Sequence, residues 1–227
     1  PLPIIVRISG DEMIPEGFHI EEMVQFARLL EQHGADAIHV TAGTACSTPP
    51  WFFQHMFIKK GKTWEMAAKI QEDIAIPVIF VGRISSEKDV HFIQNVYKSR
   101  YIALGRALVA DPEFVAKFFE TIPKRIRPCL ACSEGCLGGV KSGEGLACVV
   151  NPLVGREGEP LKVATNQKSV AVVGGGLAGM QAAIPFRNAD IGLLCSKKTN
   201  WAGSLIWHGC PRKKRVSKKL SITISAK

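Results

Sequence analysis

Over its first 115 residues the chain alternates short apolar runs with longer amphipathic stretches, and this restricts the fold more than any other feature. Pro3–Ser9, PIIVRIS, is rich in Ile and Val without polar alternation, as strands buried on both faces are. Ile20–His33 puts Met23, Phe26, Ala27 and Leu30 on one helical face. Ala37–Thr41 reads as the next strand, and Thr63–Asp73 as a helix with Thr63 as its cap. Pro77–Val81 is a strand, Ser86–Val96 a helix with Glu87 in its first turn, and Tyr101–Leu104 a strand. Asp111 then caps a helix that has Pro112 at its first position. Such alternation means βαβ units and a parallel sheet, so the fold class is α/β. Four units are present, where a closed (β/α)8 barrel uses eight.

The second constraint is CLACSEGCLGGVKSGEGLAC, from Cys129 to Cys148. Its four cysteines have two, three and eleven residues between them, and a Gly-rich loop brings the last one back. Thiolates are soft ligands that suit iron–sulfur clusters or zinc. A disulfide pair is disfavoured, because nothing in the chain indicates export. Zinc sites more often use two separated C-x2-C pairs, so the spacing favours a cluster over zinc while leaving both open. The other cysteines, Cys46, Cys195 and Cys210, read as ordinary thiols.

After a polar linker, GREGEPLKVATNQK, a new pattern begins at Lys168: KSVAVVGGGLAGMQAA. A Val/Ala strand runs into Gly174, Gly175, Gly176, Ala178 and Gly179, with G-x-G-x-x-G spacing. That is the turn by which dinucleotide-binding folds set a pyrophosphate on a helix N-terminus. Two departures follow. Cys195 stands where a ribose-binding acid is expected, and Pro185 is expected to interrupt the helix.

Composition adds exclusions. No apolar run approaches the roughly 18 residues of a membrane span, and the N-terminus lacks the basic start of a signal peptide. Seven cysteines without export signals suggest a reducing, cytoplasmic compartment. The net charge of +9 comes from residues 197–227, which hold nine basic residues and no acid. PRKKR within this tail has nucleic-acid or nuclear-signal character, but an unpaired terminus is the favoured reading, and no nucleic-acid partner is expected.

The stretch IRPCLACSEGC, followed by CVVNPLVGRE at 148–157, resembles the iron–sulfur flavoenzymes related to old yellow enzyme. This NADH:flavin oxidoreductase family includes 2,4-dienoyl-CoA reductase, trimethylamine dehydrogenase, NADH oxidase and enoate reductase. The likeness runs from about Val6 to about Leu205, with barrel strands, cysteines and dinucleotide fingerprint in the family's order. It implies three parts: the C-terminal half of an FMN-binding TIM barrel at 1–118, an iron–sulfur segment at 119–160, and a truncated Rossmann-like FAD/NAD(P)-binding domain with a basic tail at 168–227.

The resemblance also implies roles. Gly82, Arg83, Gly105 and Arg106 would meet the FMN phosphate, at loops where TIM barrels commonly bind phosphate. Arg7 would face the flavin pyrimidine edge. Cys129, Cys132, Cys136 and Cys148 would bind one [4Fe–4S] cluster. The glycine turn would take FAD, which this chain is expected to bind poorly. The loop TAGTACSTPPWFFQH would lie over the flavin without a proton donor, with His39 packed on its strand and His55 an ordinary loop residue. The full enzyme would take hydride from NAD(P)H and pass electrons from FAD through the cluster to FMN, reducing an activated C=C bond or a similar small-molecule acceptor. A partner chain would supply the missing barrel half. The alternatives are an inactive remnant of such an enzyme and a zinc-binding interaction module.

Overall fold

The computed structural model describes residues 2–159, 170–174, 176–188, 193–196 and 223–224. The chain divides into two compact units, Pro1–Glu157 and Gly158–Lys227. In the first, β1 (Ile5–Ser9), β2 (Ala37–Thr41), β3 (Val78–Phe80) and β4 (Tyr101–Ile102) form one parallel sheet in chain order. Helices α1 (Ile20–Gln32), α3 (Lys62–Gln71) and α4 (Glu87–Val96) connect successive strands. A short α2 (Pro49–Phe52) lies in the loop after β2, and α5 (Arg106–Ala110) and α6 (Phe114–Phe118) follow β4.

Period-two alternation sorts the strand residues between two faces. Ile38, Val40, Val78 and Phe80 are essentially fully buried against Ala27 of α1, Ala67 and Ile70 of α3, and Ile93 of α4. The opposite row is set by register: Arg7 beside His39, His39 beside Ile79, Ile79 beside Tyr101. This second face is far less covered, with Tyr101 51% exposed.

Helix starts differ from the sequence reading. Thr63 does not cap α3; the helix begins one residue earlier, after Gly61, whose φ of 91° reverses the chain there. Thr63 therefore falls inside the first turn. Asp111 does accept the Glu113 N–H, at 3.2 Å, but α6 begins only at Phe114, and the Asp111 carboxylate belongs mainly to Lys117. Ser86, read as the first residue of its helix, instead caps α4 from just outside it, in a reciprocal box with Asp89.

The cysteine segment lies within the first unit, with a π-helical turn at Glu134–Gly138 and α7 at Gly139–Ser142. Gly139 sits so close to the returning loop that a Cβ there would be 2.4 Å from the Gly145 carbonyl oxygen. At the neighbouring Gly138 the nearest atom would be 3.6 Å away. Gly139→Ala is therefore expected to cost about 1–3 kcal/mol in urea denaturation, the usual range for overpacking. Gly138→Ala should be close to neutral. Equal effects of the two would contradict the placement of this loop.

In the second unit β5 (Val170–Val173) pairs in parallel with β6 (Leu193–Ser196), and α8 (Leu177–Asn188) lies between them in the chain. Contrary to expectation, the helix continues through Pro185. Proline withdraws only its own N–H from the backbone ladder, and the turns on either side keep theirs. The basic tail is not wholly unpaired: β7 (Thr223–Ile224) pairs antiparallel with β6. No helix among the described residues is long and apolar enough to cross a membrane.

Candidate functional site

Parallel strands place all their C-terminal ends on one side, and the loops leaving β1 to β4 gather the reactive residues there. Arg7 and His39 are register partners on the less covered face, and both line a cavity of about 470 Å3. Its wall also includes Gly82 and Arg83 after β3, Gly105 and Arg106 after β4, and Cys129 and Cys136. The residues assigned by sequence to a flavin phosphate thus face one space, together with two of the four cysteines.

Local contacts explain how these loops are held. Gly82 has a φ of 107°, and a side chain there would press on Thr63 Oγ1 at 2.8 Å. The Trp64 indole N–H donates to the Gly82 carbonyl at 2.8 Å, fixing this loop to α3. The Asp89 carboxylate accepts the Ser85 and Ser86 N–H groups, both at 2.9 Å, and pairs with Lys60 from the preceding loop.

The two loop arginines have work that the sequence did not disclose. Arg83 Nη1 donates to the carbonyls of His55, Met56 and Ile58. Arg106 donates to the Phe53 carbonyl, to the Gln54 carbonyl at 2.9 Å and to Ser133 Oγ at 3.0 Å. Arg106 thereby ties the loop after β2 to the cysteine segment. His55 adds a second tie, with Nε2 3.1 Å from the Cys132 carbonyl oxygen. It is in the loop, as expected, but it is not an idle residue.

Two buried side-chain atoms among the described residues lack a hydrogen-bond partner: His39 Nε2 and Thr63 Oγ1. Both residues line the cavity. His39 packs on its strand, as the sequence reading has it, but its Nε2 is unpartnered and the residue lines the cavity. Burial, and then the Arg7 charge, push its pKa down, so the ring is held neutral. Arg7 itself lies over the Phe52 ring, 5.3 Å from the centroid.

All four cysteines line a second, narrow pocket that adjoins Arg106. The Ala131 N–H donates to Cys129 Sγ at 3.3 Å. Burial raises the Cys129 thiol pKa, against the opposing effects of that N–H and of Arg106. Ala131 and Ser133, on either side of Cys132, both have positive φ, 56° and 60°. For a non-glycine residue this backbone costs on the order of 1–3 kcal/mol, and here it is adopted on both sides of one cysteine. Among the described residues, no three His, Cys, Asp or Glu side chains converge tightly enough for a single ion.

In the second unit the fingerprint forms a strand, a turn and a helix, with Gly174 at a φ of 112°. A Cβ on Gly179 would stand 2.0 Å from the Gly174 carbonyl oxygen, so only glycine fits this helix–turn approach. Gly176 begins the turn into α8, Ala178 lies in its first turn, Cys195 is on β6 in register with Val172, and Gly175 lies outside the described residues.

The chain is similar to the NADH oxidase of Thermoanaerobacter brockii, with 39% identity over 207 residues, 89% of this chain and 32% of that protein. It is 37% identical to the cinnamate reductase of Clostridium sporogenes over 179 residues, 78% of this chain and 26% of the relative. Among solved structures, histamine dehydrogenase from Rhizobium sp. 4-9 superposes with a TM-score of 0.73 at 25% identity, covering 90% of this chain and 30% of that one. The chain thus spans about a third or less of the length of these proteins. Residues 2–125, which contain the four-stranded sheet and the loops carrying Gly82 and Gly105, match the family described as NADH:flavin oxidoreductase / NADH oxidase. By that match this chain, with its parallel sheet and one-sided cavity, belongs to the NADH:flavin oxidoreductase / NADH oxidase family.

Proposed function

We propose that this chain carries the phosphate end of an FMN site and, beside it, the cysteines of a [4Fe–4S] cluster, in an oxidoreductase that reduces an activated C=C bond or a similar small-molecule acceptor. One observation carries the reading: a single cavity is walled by Arg7, by the Gly82 and Gly105 loops, and by Cys129 and Cys136. Such a wall suits two redox groups held within reach of each other.

The residues fit both groups. Two orphaned buried polar atoms, His39 Nε2 and Thr63 Oγ1, belong to the wall of a cavity of small-molecule size, where a ligand could complete them. Gly82 leaves open backbone where a side chain would intrude. Arg7 would place a cation where a reduced flavin ring accumulates negative charge. Cys129, Cys132, Cys136 and Cys148 would hold the cluster. Four thiols that share a pocket without meeting at one point suit separate irons better than one tetrahedral zinc. The Ala131 N–H and Arg106 would stabilise the charge of the ligating sulfurs.

When bound, the flavin would supply one- and two-electron chemistry and the cluster single-electron transfer. The chain's own part is to hold them. Arg106 fixes the loop after β2 to Ser133, and His55 fixes the same loop to the Cys132 carbonyl, so hydrogen bonds tie the cavity wall to the cysteine loop. In the whole protein, NAD(P)H would deliver hydride to FAD seated on the Gly174 to Gly179 turn. Strands from the rest of a longer chain, or from a partner chain, would complete the barrel beside β1 and β4.

Titration of the chain with FMN tests this directly. Flavin fluorescence should be quenched with a stoichiometry near one, and Arg7→Ala should weaken binding about tenfold or more, as loss of a charged hydrogen bond does. No quenching at micromolar FMN would sink the reading.

A further inference from the structure

The sequence assigns the phosphate to two arginines, yet several of their donors are already taken. Arg83 Nη1 serves loop carbonyls, and Arg106 serves two carbonyls and a hydroxyl. Arg83 Nη1 and Arg106 Nη2 are thus spent on the protein itself, and an anion in this part of the cavity gains from further donors. The structure offers one that no arginine argument would find.

Thr63 is 1% exposed, and its hydroxyl oxygen has no partner. It lines the cavity and stands against the open face of Gly82. It also occupies the first turn of α3, a ten-residue helix. The Gly61 carbonyl takes the N–H groups of Trp64 and Glu65, so those of Lys62 and Thr63 belong to the unpaired first turn. The positive end of the helix dipole adds to them. On the other side, Trp64 pins the Gly82 carbonyl. In a trans peptide the following N–H, that of Arg83, then points the opposite way. A buried, orphaned hydroxyl among such donors is suited to an anion.

We propose that the Thr63 hydroxyl is a phosphate ligand of the flavin site, donating its proton to a phosphate oxygen while the α3 N-terminus and the Gly82 loop face the same group. The inference rests on the FMN reading above. It adds a contact from α3, an element outside the two glycine–arginine loops. It also accounts for why a threonine that caps nothing is buried with its hydroxyl unpaired.

The test is binding by the full chain, its Thr63→Val variant and its Thr63→Ser variant, with FMN, riboflavin and inorganic phosphate as ligands. Valine keeps the shape and removes the hydroxyl. The variant should bind FMN about ten- to hundredfold more weakly, the usual effect of losing a hydrogen bond to a charged group. Riboflavin, which lacks the phosphate, should bind both proteins alike, and serine should restore FMN affinity. Without ligand, Thr63→Val should melt at or above the wild-type temperature, because no partner is lost; a lower melting temperature would show that the hydroxyl is structural and overturn the proposal. Unchanged FMN affinity would overturn it too, as would equal losses for FMN and riboflavin. If inorganic phosphate alone binds wild type as tightly as FMN, the site is one for free phosphate and the flavin assignment fails. If wild type binds neither flavin, the FMN reading itself falls, a result distinct from failure of Thr63 alone.

Discussion

Asp111→Ala is expected to lower the stability of the first unit by about 3–5 kcal/mol, the cost of stranding one member of a buried ion pair. Both carboxylate oxygens of Asp111 lie 2.8 Å from Lys117 Nζ. The two side chains are only 2% and 9% exposed. Glu113, at 3.1 Å, is the only other acid paired with this ammonium group among the described residues, and it is itself half exposed. Removing Asp111 leaves Lys117 desolvated and underpaired. It also releases the Arg127 N–H, which donates to Asp111 at 2.7 Å just ahead of Cys129. The lesion should therefore loosen the cysteine segment as well as the sheet.

The sign of the pH dependence follows from the same contacts. Burial would raise the Asp111 pKa, but the hydrogen bonds from Lys117 and the Arg127 N–H outweigh it and hold the group below the usual aspartate value. Its contribution is thus full above the ordinary carboxylate pKa and is lost as pH falls through the lower folded value. For Lys117, burial works downward, and the bonds to Asp111 and Glu113 carry the pKa upward. Its share is full below the ordinary lysine pKa and fades only as pH rises through the higher folded value. Urea denaturation of wild type and Asp111→Ala across acid pH should show the difference between them shrinking as pH falls. A loss under about 1 kcal/mol at neutral pH would mean that the pair is solvated. Asp111→Ala combined with Lys117→Met should recover part of the loss, since no charge then stays buried.

The cysteines carry the other large effect. Anaerobic reconstitution is expected to give about four irons per chain and broad brown absorbance, the signature of a [4Fe–4S] centre held by four thiolates. Alanine at Cys129, Cys132, Cys136 or Cys148 should abolish that absorbance, because in the proposed centre each thiolate would close the coordination of one iron. Cys46→Ala should leave it intact, since Cys46 is exposed and absent from the pocket that the other four line. Full iron retention by all four single variants would refute the assignment. A colourless protein with one tightly held zinc would replace the cluster by a structural site.

Much of the fold was legible because it rests on local periodicity. Ala37–Thr41 is a strand with the bounds its apolar run suggests, and Ile20–Gln32 buries Met23 and Ala27 of the face read from its periodicity, while Phe26 of that face stays exposed. The helix read from Ser86 to Val96 is there, with Ser86 just outside it as the cap. Thr63 misled for a related reason. Threonine is a good cap in general, but Gly61, two residues earlier, already reverses the chain and starts the helix. Pro185 misled because its cost is an average over helices, and one missing N–H did not break this one.

Sequence by itself determined the order of strands and helices, the spacing of four thiols and the glycine turn of the second unit. Each is written in residues that lie near one another in the chain. Tertiary structure alone decided where donors and acceptors spend themselves. Arg106 reaches back 52 residues to Gln54, His55 reaches forward 77 to Cys132, and Arg127 reaches back 16 to Asp111. No local pattern encodes such partners. A side chain's hydrogen bonds depend on which loops the parallel sheet brings to its C-terminal side. That packing gave Arg83 and Arg106 loop partners no local pattern announces, and among the described residues it left His39 Nε2 and Thr63 Oγ1 without a partner.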